Sequence, residues 1–358
     1  MADEASLLGS KLALCRGFYL GASTPNEVQV RSGLMAGQAL ALPDPSRRGM
    51  LAELLGLMDG QRSVAQLLES WPEPARSAVL RVLAQLVERG VLVPADADRS
   101  SWIRQGLASL QGRVTPERLA AADVALVGAG VLGSRVASNL VLMGVRHLAL
   151  WDPAPLTGYD RALSPAYLDG EEGTPRALGL ARYLSRLEPS LTVQQLEQPE
   201  PGPRSLVIAA VDRVEPSLLH TLNQSALRTG TPWLLAAMDG TTGIVGPLMV
   251  PGQTGCYQCL ESSWIARSRK PEQLRVTVDN LRAQPPAEAS FYGLPAFADV
   301  VAGLLAADLP NILTQGLALT LGQILSVDFL SLSAFTYPIL KLPRCPACQL
   351  QAPAAGAS

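Results

Sequence analysis

Apolar and polar positions alternate in three short runs near the start of the chain, Phe18 to Leu20, Glu27 to Val30 and Gln38 to Leu42. With turn formers at Asn26 and Ser32-Gly33 between them, these runs predict three strands. The period then lengthens. Met50, Leu51, Leu54, Leu55 and Met58 share one helical face that stops at Asp59-Gly60, and Ser63 is placed to cap a second helix through Val64, Leu67 and Leu68 that ends near Pro72. Pro74 opens a third, with Val79, Val82, Leu83, Leu86 and Val87 on one stripe; it ends at Gly90, and Val91 to Val93 forms a short extended end. From Asp123 the pattern is α/β: a strand Asp123 to Val127, a glycine turn, an apolar helix to Met143, and a strand His147 to Leu150 that leads to Trp151-Asp152. Further strands are predicted at Leu206 to Val211 and Trp233 to Ala237.

The pattern implies a first module over 1–95, a linker over 96–118, a second domain over 119–349 and a disordered tail over 350–358. Residues 153–175 and 198–204 read as connections, and 266–290 as a mobile loop. A total of 358 residues suits two units better than one. The apolar run from Leu309 to Val327 is interrupted by Pro310, Asn311, Gln315 and Gln323, so a buried helix is expected there rather than a membrane span.

Hydrophobic residues make up 48% and charged residues 17%, and the mean hydropathy is +0.19. This composition excludes disorder or a coiled coil for the whole chain. Twenty-nine basic against 31 acidic residues give a formal charge of -2, with no footprint for nucleic acid or an anionic membrane. The first ten residues have no basic stretch before an apolar run, so the expected location is cytoplasmic.

Two constellations carry chemistry. Gly128, Gly130 and Gly133 have the spacing of a strand-to-helix turn whose N–H groups bind an anion, and Asp152 lies where such folds place a ribose-binding acid. Cys256, Cys259, Cys345 and Cys348 form two C-x-x-C pairs flanked by Gly255, Pro343 and Pro346, the donor set of a closed structural zinc site. A redox pair or chance spacing are the alternatives. Cys15 reads as a small buried apolar residue, His147 and His220 as packing or surface positions, and Glu171, Glu172 and Asp239 as solvated acids.

The first module, through "LMDGQRSVAQLLESW…VLAQLVERGVLV", resembles the PqqD-like leader-recognition element of ribosomal-peptide maturation enzymes. Winged-helix modules share this order, but a DNA reader should carry a basic recognition helix, and the third helix has only Arg76, Arg81 and Arg89 against Glu88. The second domain resembles the ThiF-type, ubiquitin-activating-like adenylation fold. The resemblance rests on "VALVGAGVLGSRVASNLVLMGVRHLALWD", "GTPRALGLARYLSRLEPSLTV", "LVIAAVD", "GPLMVPGQTGCYQCL" and "LPRCPAC", in that order. The whole looks most like the leader-binding ThiF-like proteins of azol(in)e peptide biosynthesis, which partner a YcaO-type cyclodehydratase. The fold class expected is therefore α/β: a winged-helix-like module, then a Rossmann-like domain with a four-cysteine zinc site.

The resemblance implies that the glycine turn and Asp152 hold ATP, that Asp212 helps hold magnesium, and that Arg176 stands where active relatives use a lysine against the phosphates. Arginine keeps the charge but not the point-like geometry of lysine. The arginine-bearing loop of active members is replaced by Tyr159-Asp160-Arg161, and Asp212 is followed by Arg213 rather than asparagine. No catalytic residue is assigned, and whether the protein is an enzyme is left open. The first expectation is a leader-peptide-binding subunit in which peptide pairs along Gln38, Ala39, Leu40, Ala41 and Leu42 and packs on Val79, Val82 and Leu83. A homodimer is implied by the family. The alternatives are an adenylating enzyme using Mg·ATP and, less compatible with the cysteines, a nicotinamide oxidoreductase.

Overall fold

The computed structural model describes residues 4–15, 17–35, 37, 39–95, 116–283, 291–315 and 318–349. Gln38, the 96–115 portion of the expected linker and the 350–358 tail lie outside the described residues. The chain divides between Pro116 and Glu117 into two units.

In the first unit the three alternating runs form strands β2 (Tyr19–Thr24), β3 (Glu27–Arg31) and β4 (Ala39–Pro43) of one antiparallel sheet in the order β2-β3-β4, numbering after α1 (Glu4–Gly9) and β1 (Lys11–Leu14). Val28 pairs with Leu42 and Val30 with Leu40, so the apolar side of each strand meets the same core. Helix α2 (Met50–Gly56) is shorter than its periodicity suggested. Asp59–Ser63 turns into strand β5, which pairs with β1; β6 (Leu92–Pro94) joins β1 from the other side. Gly60, with φ of 81°, allows that reversal. Ser63 caps α3 (Val64–Leu68) in a reciprocal capping box with Gln66. The last helix, α4 (Glu73–Glu88), carries Pro74 in its first turn.

The second unit is an eight-stranded sheet. Its elements are α5 (Pro116–Ala121), β7 (Asp123–Val127), α6 (Val131–Leu142), β8 (His147–Trp151), α7 (Gly158–Leu163), α8 (Arg176–Leu187), β9 (Thr192–Gln195), β10 (Leu206–Val211), α9 (Pro216–Thr229), β11 (Trp233–Asp239), β12 (Thr242–Met249), α10 (Tyr257–Arg267), α11 (Pro271–Ala283), α12 (Pro295–Gln315), β13 (Gln323–Asp328) and β14 (Ser333–Pro338). The strand order is β14-β13-β12-β11-β10-β7-β8-β9, parallel from β11 to β9 and antiparallel from β11 to β14. Alternate residues of the central strands feed two cores. Val124, Leu126, Ile208 and Leu234 face one side with α6, α8 and α12, while Ala125, Val127, Val207 and Leu235 face the other with α9 and α10. The order reverses between β7 and β10, and the crevice outside the carboxyl ends of strands at such a reversal is where this class of sheet binds ligands.

Three sequence expectations change here. The helix expected over 309–327 lies earlier, as α12, and 323–328 is a strand paired with β12 and β14. Pro310 sits inside α12. By length and composition Pro295–Leu313 could cross a membrane, yet Val301, Ala302, Leu305 and Leu309 are fully buried in the core. The stretch read as a mobile loop includes helix α11, whose spacing of Leu274, Val278 and Leu281 was the missed signal; its acidic and basic neighbours masked the stripe. The 153–175 connection contains α7.

Candidate functional site

The carboxyl end of β7 turns into α6 through Gly128-Ala129-Gly130. Gly128 has φ of 97°, and a Cβ there would lie 2.2 Å from the Ala210 carbonyl oxygen. Gly133 fits equally tightly: a Cβ would meet the Gly128 oxygen at 2.0 Å. These glycines therefore let helix and strands approach, independently of any ligand.

The N–H groups of this turn already have anionic partners. Ala129 N–H donates to Asp152 Oδ2 at 2.8 Å, while Val131 and Leu132 donate to Asp212 Oδ2 and Oδ1 at 2.9 and 2.8 Å. Asp212 follows β10, the neighbour of β7, and so arrives at the amino end of α6 as a cap supplied from 80 residues away. The expectation that the helix-start N–H groups stand open to an incoming anion is corrected accordingly for Val131 and Leu132. Each carboxylate oxygen keeps a second lone pair, so a cation can still be accepted.

Arg176, the first residue of α8, is buried, and its guanidinium lies 2.7 Å from Asp160 Oδ1. Asp160 is itself buried within α7 and bonds back to Thr157 in a capping box. Tyr167 donates its hydroxyl to the Ala129 carbonyl. Asp160 and Tyr167 were not singled out as site residues; the Thr157-x-x-Asp160 spacing was the legible signal for the first. Arg161, by contrast, pairs with Asp169 and Glu172.

Burial raises the Asp152 carboxyl, against the opposing pull of the Ala129 N–H and Arg176. It raises Asp212 to about 6, with the Leu132 and Val131 N–H groups and Arg176 acting the other way. For Arg176, burial works against the charge, and Asp152 and Asp160 more than restore it. A cavity of about 260 Å³ opens here between Trp151, Asp152, Arg176 and Asp212. Three carboxylates around one guanidinium leave the site with negative charge, which disfavours a bare phosphate.

The other predicted centre is assembled by α10 and the chain end. Cys256 precedes α10, Cys259 lies in its first turn, and Cys345 and Cys348 return from beyond β14; the four sulfurs lie within 4.8 Å of one another. Three of the separations are 3.9 Å (Cys256–Cys259), 3.7 Å (Cys256–Cys345) and 3.8 Å (Cys259–Cys348). A disulfide needs about 2.05 Å, whereas a tetrahedron with metal–sulfur bonds of about 2.3 Å has edges of ~3.8 Å. The residues fit a four-thiolate metal ion. The Cys256 thiol donating to Cys259 holds the Cys259 thiol below its ordinary value, with a further contribution from the Leu342 N–H. Cys15 is buried in the first unit and takes no part.

The expected peptide-contacting positions divide. Ala39 and Ala41 are exposed on β4, Leu40 and Val82 are half-buried, and Leu42 is buried. Val79 and Leu83 are fully buried in the core of the first unit, so their assignment as peptide contacts is corrected: the stripe of α4 that carries them is consumed by folding.

The ThiF family pattern matches residues 104–349. The chain belongs to the ThiF family. It is similar to the sulfur carrier protein adenylyltransferase of Thermus thermophilus, with 29% identity over 261 residues, 68% of this chain and 89% of that one. Its fold matches the microcin C7 biosynthetic enzyme MccB in complex with N-formylated MccA, with a TM-score of 0.67 at 18% identity over 94% of this chain and 99% of MccB. A heterocyclase in complex with substrate and cofactor matches with a TM-score of 0.59 at 20% identity; 95% of this ThiF-family chain covers only 39% of the heterocyclase chain.

Proposed function

We propose that this protein captures a ribosomal precursor peptide by its leader and delivers it to a separate YcaO-type cyclodehydratase, which closes Cys, Ser or Thr side chains onto the backbone as azolines. The observation that carries this reading is the occupied turn: Ala129, Val131 and Leu132 already donate to Asp152 and Asp212, and Arg176 is tied to Asp160. Groups that would grip phosphate are spent on holding the fold together. Catalysis is then by proximity, because a tethered core peptide has a high effective concentration at the partner's site.

In this reading the first unit is a PqqD-like element. The leader adds as a strand beside β4, whose outer edge is unpaired among the described residues, with Ala39, Leu40 and Ala41 as contacts and Val82 at the rim. Cys256, Cys259, Cys345 and Cys348 hold a zinc ion that ties the chain end to α10; such a centre is closed to substrate and stabilises the fold. Reduced thiolates of this kind suit the cytoplasm, and the assembly is a homodimer.

The test is the affinity of a labelled synthetic leader, taken from the Cys/Ser/Thr-rich reading frame beside the gene. Ala39→Glu/Ala41→Glu, at the exposed positions of β4, should weaken binding at least about tenfold while the melting temperature stays near that of the parent, roughly 1.4 kcal/mol of binding. Unchanged affinity would remove the leader from β4.

A second reading, an adenylating enzyme, is favoured by the 29% identity to an adenylyltransferase. A carboxylate would attack the α-phosphate of Mg·ATP and release pyrophosphate, with Asp152 on the ribose, Arg176 on the phosphates and Asp212 on magnesium. Calorimetric titration separates the two. The leader-binding reading expects no heat up to millimolar Mg·ATP, and micromolar binding, about -8 kcal/mol, selects the enzyme.

A further inference from the structure

The first cysteine pair is held in place by a helix that supplies no ligand of its own. Tyr257, the residue after Cys256, donates its backbone N–H to Asn223 Oδ1 at 2.9 Å. Asn223 lies on α9, three residues after His220, and is 1% exposed. His220 Nε2 sits 3.0 Å from Glu261 Oε1, two residues past Cys259, and its ring meets the Tyr257 ring edge-on at 4.9 Å between centroids. At this spacing the two side chains share one face of α9. The stretch from Cys256 to Glu261 is therefore braced near both ends.

The other end of the Asn223 amide has no such partner. Its Nδ2 atom is buried and makes no hydrogen bond. A buried donor left without an acceptor is costly and rare in folded proteins, so this one calls for an acceptor. Asn223 and Cys256 line the same small cavity, of about 10 Å³, which has room for about one water. Four thiolates outnumber the charge of a divalent ion, so a loaded centre is anionic, and its buried sulfurs gain from N–H groups directed at them. Cys259 accepts one such group from the Leu342 backbone, at 3.4 Å.

We propose that Asn223 is a positioning residue of the metal centre. Its carbonyl oxygen fixes the Cys256–Tyr257 peptide, and its amide N–H stabilises the Cys256 thiolate across the cavity they share. The inference rests on the four-thiolate reading of the cysteines; it is independent of leader capture at β4 and of the state of the glycine turn.

The test uses the full chain loaded with zinc or with cobalt(II). Asn223→Leu, which keeps a branched side chain without polar atoms, should release zinc to a chromophoric chelator at least about tenfold faster than the parent, the scale on which residues behind a metal ligand act. Asn223→Asp keeps an acceptor for the Tyr257 N–H and loses the donor. In its cobalt-loaded form the thiolate-to-cobalt absorption should move to longer wavelength, because a sulfur that loses an N–H donor holds its lone pairs less tightly. Leu222→Ala, a buried neighbour on α9 that does not line the shared cavity, is the control for a purely structural effect. It should lower the melting temperature and leave the release rate and the cobalt band at their parent values. A parent-like release rate in Asn223→Leu, an unmoved band in Asn223→Asp, or equal changes in Leu222→Ala would each overturn the role of Asn223 while the metal centre stands. A parent chain that takes up neither metal would overturn the four-thiolate reading and this inference with it.

Discussion

A Cβ placed on Gly130 would come within 2.1 Å of the Asp212 Oδ2 atom. The middle glycine of the turn is thus required by an acid on the neighbouring strand, before any nucleotide is considered. Gly130→Ala is expected to destabilise the fold by about 1–3 kcal/mol, as overpacking at a buried position does. Urea unfolding checks this. In Gly130→Ala/Asp212→Ala the two losses should sum to less than their separate values, because the clash has been removed.

The Asp212 carboxyl, raised to about 6 from its ordinary 3.8, makes stability depend on pH. Between those values the native state holds a proton that the unfolded chain has lost. This contribution to stability is full below pH ~4 and falls as the pH rises through ~6. Asp212→Asn keeps one acceptor for the α6 N–H groups and removes the ionisation. Relative to the parent, it should gain stability between pH 5 and pH 7.5 in denaturant titrations. A constant offset across that range would contradict the assignment.

Arg176 and Asp160 form a buried ion pair. Arg176→Met leaves Asp160 as an uncompensated buried carboxylate and should cost about 3–5 kcal/mol with no nucleotide present. Arg176→Met/Asp160→Leu should recover part of that loss. If Arg176→Met left stability unchanged but abolished ATP–pyrophosphate exchange, Arg176 would be a phosphate ligand rather than a structural one.

Metal analysis should find about one zinc per chain, bound by four thiolates. Cys259→Ser should abolish stoichiometric zinc. A strong chelator should lower the melting temperature of the parent by several degrees or more, consistent with metal binding that contributes to folding. A parent chain that binds no zinc, with thiols that oxidise to disulfides in pairs, would favour the redox alternative.

Much of the second unit is legible without coordinates. Its strands alternate into two cores, its turn requires glycine, and its thiols come in spaced pairs, all short-range patterns imposed by backbone geometry and ligand chemistry. The same local rules announced β2–β4 and the Ser63 cap. They failed where a partner is distant. Nothing around Asp59–Ser63 shows that β1 waits to pair with it, and the apolar run ending at Val327 cannot reveal that its last residues are a strand between β12 and β14.

Chemical inventory was therefore determined by the sequence alone: four cysteines in two pairs, a glycine turn, three candidate nucleotide contacts and a family. What each group does was decided by the tertiary structure. Asp212 becomes a helix cap because β10 lies beside β7, Arg176 is neutralised because α7 brings Asp160 to it, and Val79 and Leu83 are lost to the core. The physical reason is common to all three. Hydrogen bonds and ion pairs are satisfied by whichever group folding brings within about 3 Å, and that neighbour can stand 80 residues away in the chain.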